Sequence, residues 1–67
     1  MRSNHELENL AKAAGLSRVR AVFQGDRGSR VIHGCEAANE LREIVLEDES
    51  AMTDEQVKSV VRKVIGV

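Results

Sequence analysis

Four arginines crowd one short stretch of this chain: Arg18, Arg20, Arg27 and Arg30, with His33 close behind. Around the Gly25-Asp26-Arg27-Gly28 segment they form a cationic group able to hold phosphate oxygens, which gives salt-sensitive affinity without sequence reading. The same residues equally describe a solvated loop kept soluble by its charge. A second group is the glutamate row Glu36, Glu40, Glu43 and Glu47, spaced for one side of a helix. It suits a basic partner, or simply the solvent side of an amphipathic helix.

Catalytic chemistry finds little to stand on. Cys35 is the lone cysteine, which excludes an internal disulfide and any multi-cysteine metal site. His33 two residues before it is no recognisable nucleophile pairing, and the thiol reads as a buried structural group. The Gly25–Gly28 segment is too short for a phosphate-binding loop and lacks its lysine. No catalytic residue, metal or cofactor is expected, and the chain reads as a non-enzyme.

The 67 residues form one small domain, 1–67, with a single aromatic, Phe23, and a core that must come from Val, Leu, Ile and Ala. A chain of this size buries only about 60% of its unfolded surface, so pairing with a second copy is an expected source of stability. No apolar run approaches the length of a membrane span, and no apolar leader opens the chain. A cytoplasmic protein is expected. The net charge is −1, unevenly spread. Residues 1–34 carry six bases against three acids; residues 35–67 carry four bases against eight acids. A basic front and acidic rear suit a small nucleic-acid binder that associates through its rear.

The elements that must position these groups are clear at both ends. Ser3 with Glu6 makes a capping box, and Leu7, Leu10, Ala11 and Ala14 recur at helical spacing, predicting a helix over about 4–14 closed by Gly15. Thr53 with Gln56 makes a second box. It opens a helix whose stripe Val57, Val60, Val61, Val64 and Ile65 is the expected dimer interface. The middle fits two templates. Read as helix, Val19, Val22 and Phe23 form one face, and Val31, Cys35, Ala38, Leu41 and Val45 form a long stripe. Read as strand, Val19, Ala21 and Phe23 alternate, Gly25–Gly28 turns a hairpin, Ser29–His33 returns, and only Glu36–Glu47 is helix. The expectation is an all-α bundle of about four helices. The alternative is α+β, a helix–β-hairpin–helix with a C-terminal helix.

Leu10 to Arg18, a helix ended by Gly15 with Leu16 behind it, resembles the turn of lactose-repressor-type and phage-repressor-type helix-turn-helix domains. Val19 to Asp26 is similar to the end of their recognition helix, although the interval from Ser17 to Gly25 is shorter than that pattern. The resemblance covers about a quarter of the chain. It implies a small dimeric DNA-binding transcriptional repressor, of the kind phages and mobile elements encode, bound to double-stranded operator DNA. Ser17, Arg18, Arg20, Gln24, Arg27 and Arg30 would then be its DNA-contacting residues. The competing expectation is a non-enzymatic protein–protein interaction module, such as a small phage-encoded inhibitor of host defence. Gly28-Ser29-Arg30-Val31 with Glu40-Leu41-Arg42 is loosely similar to the hairpin and second helix of tailed-phage head–tail joining proteins. Some fifteen residues of strand would favour this second reading and forbid the first.

Overall fold

The computed structural model describes residues 1–35 and 41–66. Among them the chain runs α1 (Asn4–Ala13), β1 (Arg18–Gln24), β2 (Arg30–Cys35), β3 (Leu41–Leu46) and α2 (Asp54–Ile65). The strands form an antiparallel sheet in the order β1-β2-β3. The fold is therefore α+β. The all-α expectation is overturned, and with it the recognition helix: residues 18–24 are a strand. The alternative held for the hairpin, but not for a helix over Glu36–Glu47, because Leu41–Leu46 is the third strand.

Both helices begin as the sequence indicates. Ser3 Oγ accepts from the Glu6 amide while the Glu6 carboxylate accepts from the Ser3 amide, and Thr53 and Gln56 repeat the arrangement at α2. Gly15 takes a positive φ of 128°, and the Leu16 amide donates back to the Ala11 carbonyl at 3.1 Å, which turns the chain toward the sheet. Helices of ten and twelve residues are marginal alone in water, so their apolar faces must be packed to persist.

That packing covers one face of the sheet. Leu7, Ala11 and Ala14 from α1, Leu16, Ile32 from β2, Ile44 and Leu46 from β3, and Val57, Val61 and Ile65 from α2 form one buried cluster. The valine stripe of α2, expected to join two subunits, is thus placed against the chain's own sheet. Val60 and Val64 are partly buried beside the cluster.

One irregularity in β1 decides what faces outward. The register with β2 shifts between Val19 and Ala21, leaving Arg20 as an extra residue. A bulge of this kind reverses the alternation of side chains across it. Val19 and Val22, three residues apart, therefore both face the helices, opposite Gly34 and Ile32. Gly34 has no side chain for a reason: a Cβ there would lie 2.6 Å from the Arg18 carbonyl and 3.0 Å from Leu16.

Candidate functional site

The other face of the sheet carries no helix among the described residues. The pairing register arranges its side chains in three rows across the strands. These are Arg18–Cys35–Leu41, then Ala21–His33–Glu43, then Phe23–Val31–Val45. Phe23, Leu41 and Val45 stand 42%, 52% and 44% exposed, a large fraction for apolar side chains on one small surface. Val31, between Phe23 and Val45 in the third row, is buried.

The middle row is polar and ordered. His33 Nε2 lies 3.0 Å from a Glu43 carboxylate oxygen across the β2–β3 pair. The imidazole meets the Phe23 ring edge-on, with centroids 4.8 Å apart. At the first row Arg18, Arg20, Cys35 and Leu41 line an open depression of about 350 Å³. The bulge brings Arg20 to this face beside Arg18, so one end of an apolar surface is rimmed by two guanidinium groups.

The predicted DNA-contacting residues divide. Ser17, Arg18, Arg20, Gln24 and Arg27 are exposed. Arg27 sits at the hairpin tip with a left-handed backbone (φ 55°, ψ 42°). Arg30 does not belong with them: it is 2% exposed and points to the helix side of the sheet. Its Nη1 donates to the Arg2 carbonyl at 2.7 Å and lies 3.3 Å from Glu49, its Nη2 donates to Asn4, and its Nε has no partner among the described residues.

Glu49, fully buried, is the hub of that second cluster. One carboxylate oxygen accepts from Arg2 Nη1 at 2.8 Å and the other approaches Arg30. Arg2 also donates to Asp54 at 2.9–3.0 Å and to the carbonyls of Glu49 and Met52. Burial disfavours the Glu49 carboxylate, but the hydrogen bonds and charge of Arg2, with the charge of Arg30, outweigh it and hold the group below the ordinary glutamate value. These contacts tie the N-terminal segment to β2 and to the start of α2. Every charge in the cluster has a counter-charge within it, so it reads as a structural clamp.

The remaining expectations fall differently. Of the glutamate row, Glu43 pairs with His33, Glu47 follows β3 and is exposed, and Glu36 and Glu40 lie outside the described residues, as does Ala38 of the expected helical stripe. Cys35, expected buried, is half-exposed on the open face. Among the described residues no three His, Cys, Asp or Glu side chains gather to hold a metal, and no helix is long and apolar enough to cross a membrane.

The sequence reading passed over the open face and the Arg2–Glu49 clamp. Arg2 and Glu49 are 47 residues apart in the chain, and no local pattern connects them. The open face had a signal, the alternation of Val19, Ala21 and Phe23, but the bulge at Arg20 obscures which residues share a side. Comparison with protein-family models, curated proteins and solved structures finds no match to this chain.

Proposed function

We propose that this protein is a non-enzymatic protein-binding module whose contact surface is the open face of its sheet. The observation that carries the reading is the exposure of Phe23, Leu41 and Val45 together, on the sheet face that neither helix among the described residues covers. Antiparallel sheets commonly present a polar face to water. Here two of three rows are mainly apolar, and the face carries an aromatic side chain at one end and arginines at the other, residue types enriched where proteins bind one another. A fitting partner offers apolar side chains to the Phe23–Val31–Val45 row and a carboxylate or aromatic ring to Arg18 and Arg20.

Site-specific photo-cross-linking tests this reading. A photoreactive phenylalanine analogue at position 23 should form discrete protein adducts whose yield falls when Val45 becomes Lys. The same analogue at Ser59, exposed on α2, should not form them. Adducts of equal yield from both positions, or none from position 23, would overturn the proposal.

A second reading has one observation in its favour. Arg18, Arg20 and Arg27 are exposed along β1 and the hairpin tip, and a two-stranded ribbon fits the major groove of DNA. Under it the hairpin contacts duplex phosphates without a helix-turn-helix. Fluorescence anisotropy with random-sequence duplex DNA decides it: binding that weakens steeply with salt and disappears in an Arg18→Ala, Arg20→Ala, Arg27→Ala variant supports this reading, and no binding at low salt removes it.

A further inference from the structure

The Arg2 side chain is held by more than an ion pair: every one of its donors is matched. Nε and Nη2 donate to Asp54 Oδ1 at 3.0 and 2.9 Å, and Nη2 also donates to the Met52 carbonyl at 2.6 Å. Nη1 donates to Glu49 Oε2 at 2.8 Å and to the Glu49 carbonyl at 3.0 Å. These are five bonds, one for each N–H that a guanidinium carries. We propose that residues 49–54 form a receptor site for the guanidinium of an arginine side chain, and that Arg2 fills it as a tethered ligand in competition with arginine from other molecules. The site lies on the helix side of the sheet, apart from the open face and independent of its partner.

The acceptors are in place without their guest. The turn Glu49–Ala51 is closed by the Ala51 amide on the Asp48 carbonyl and the Met52 amide on the Glu49 carbonyl, both at 3.0 Å. The Met52 side chain packs against the core, and the Thr53–Gln56 box then fixes the start of α2, where Asp54 is the first residue. None of these contacts involves Arg2. A site shaped by its own local bonds does not have to order a loop when it binds, which removes one of the costs of association.

Its chemistry selects arginine over lysine. Two carboxylate oxygens and two carbonyl oxygens surround one planar group and reach all three of its nitrogens. A lysine ammonium brings three donors from a single point and cannot span them. The charge is selected too. Without a cation here the buried Glu49 keeps Arg30 alone, and Asp54 has no counter-charge in the cluster.

The site is also open on one side. Glu49 is fully buried at its floor, while Asp54 at its rim is 68% exposed and Arg2 itself keeps 15% of its side chain in contact with water. A guanidinium from outside therefore has a way in once the Arg2 side chain is absent.

Chemical rescue of the full chain tests the proposal. Arg2→Ala removes the side chain beyond Cβ, and ethylguanidinium is the fragment removed; ethylammonium carries the same charge without the fork. Thermal unfolding is followed by circular dichroism with either cation at about 50 mM and equal ionic strength. Ethylguanidinium should raise the midpoint of Arg2→Ala by about 4 °C over ethylammonium. In the wild-type chain Arg2 competes from an effective concentration in the millimolar range or above, so the two cations should differ by less than about 1 °C. Adding Asp54→Asn to Arg2→Ala should raise the half-saturating ethylguanidinium concentration about fourfold, as loss of an exposed charge partner does. Equal responses to the two cations, a wild-type chain that responds as strongly as Arg2→Ala, or a rescue indifferent to Asp54→Asn would overturn the site. Should Arg2→Ala unfold the chain, ethylguanidinium must restore the helical signal; a variant that stays unfolded at every concentration overturns it equally.

Discussion

Arg30 and Glu49 meet in the interior of the protein, with Nη1 3.3 Å from Oε1 and side chains 3% and 0% exposed. A third group, Arg2, closes on the same carboxylate at 2.8 Å from the N-terminal segment. The cluster fastens the chain's beginning to the middle strand and to the turn before α2. A domain with so small an apolar core depends on such a fastening.

Removing the shared carboxylate should be costly. Glu49→Gln leaves the buried Arg30 without its counter-charge and Arg2 with Asp54 alone, and breaking a buried pair in this way costs about 3–5 kcal/mol. Arg2 is 15% exposed and water can relieve part of the loss, so about 3 kcal/mol is expected. Urea unfolding should show the midpoint fall with an unchanged slope. An unchanged midpoint would show that the clamp contributes nothing to stability.

Acid should act through the same residue. Burial opposes the Glu49 charge, yet Arg2 and Arg30 hold the carboxyl below its ordinary value of 4.5. A depressed folded-state value means that the unfolded chain binds the proton more readily. The stabilisation is then complete above about pH 4.5 and is lost as pH falls through the folded-state value. Unfolding midpoints measured downward from neutral pH should drop in that window. Glu49→Gln should flatten the drop; an equal drop in both proteins would place the acid sensitivity elsewhere.

How much of this was legible in the sequence depends on the range of the forces involved. Both helices could be read because a capping box is a contact between residues three apart, as at Ser3–Glu6 and Thr53–Gln56. The middle misled for a specific reason. Val31 and Cys35, and likewise Leu41 and Val45, are four residues apart, a spacing that shares a helix face and equally shares a strand face. Val31, Cys35, Leu41 and Val45, four members of the expected helical stripe, stand on the open sheet face. The strand residues of the core cluster, Ile32, Ile44 and Leu46, sit on the opposite parity. Arg30 was grouped with Arg18, Arg20 and Arg27 by composition, although strand alternation turns it toward the helices.

Gly34 should not tolerate a methyl group. It pairs with Val19 beside the bulge, where a Cβ would collide with backbone at 2.6 Å. Gly34→Ala should destabilise by about 1–3 kcal/mol, as overpacking does. Thermal unfolding by circular dichroism reads this directly, and a wild-type midpoint would mean that β1 shifts away freely.

Arg27 offers the opposite outcome. Its left-handed backbone at the hairpin tip is strained for a long side chain, and asparagine visits that region more readily. Arg27→Asn should stabilise by about 0.5 kcal/mol. A loss of stability in urea would show that the arginine side chain makes a contact worth more than the strain.

The measurement that bears most directly on the central claim is photo-cross-linking from position 23, with Ser59 on α2 as the control position and random-sequence duplex DNA titrated against the ¹⁵N-labelled chain alongside. The account predicts discrete protein adducts from position 23 that weaken in Val45→Lys, none from position 59, and little response to DNA. Adducts of equal yield from both positions, none from position 23, or a DNA response strongest at Arg18, Arg20 and Arg27 would contradict it.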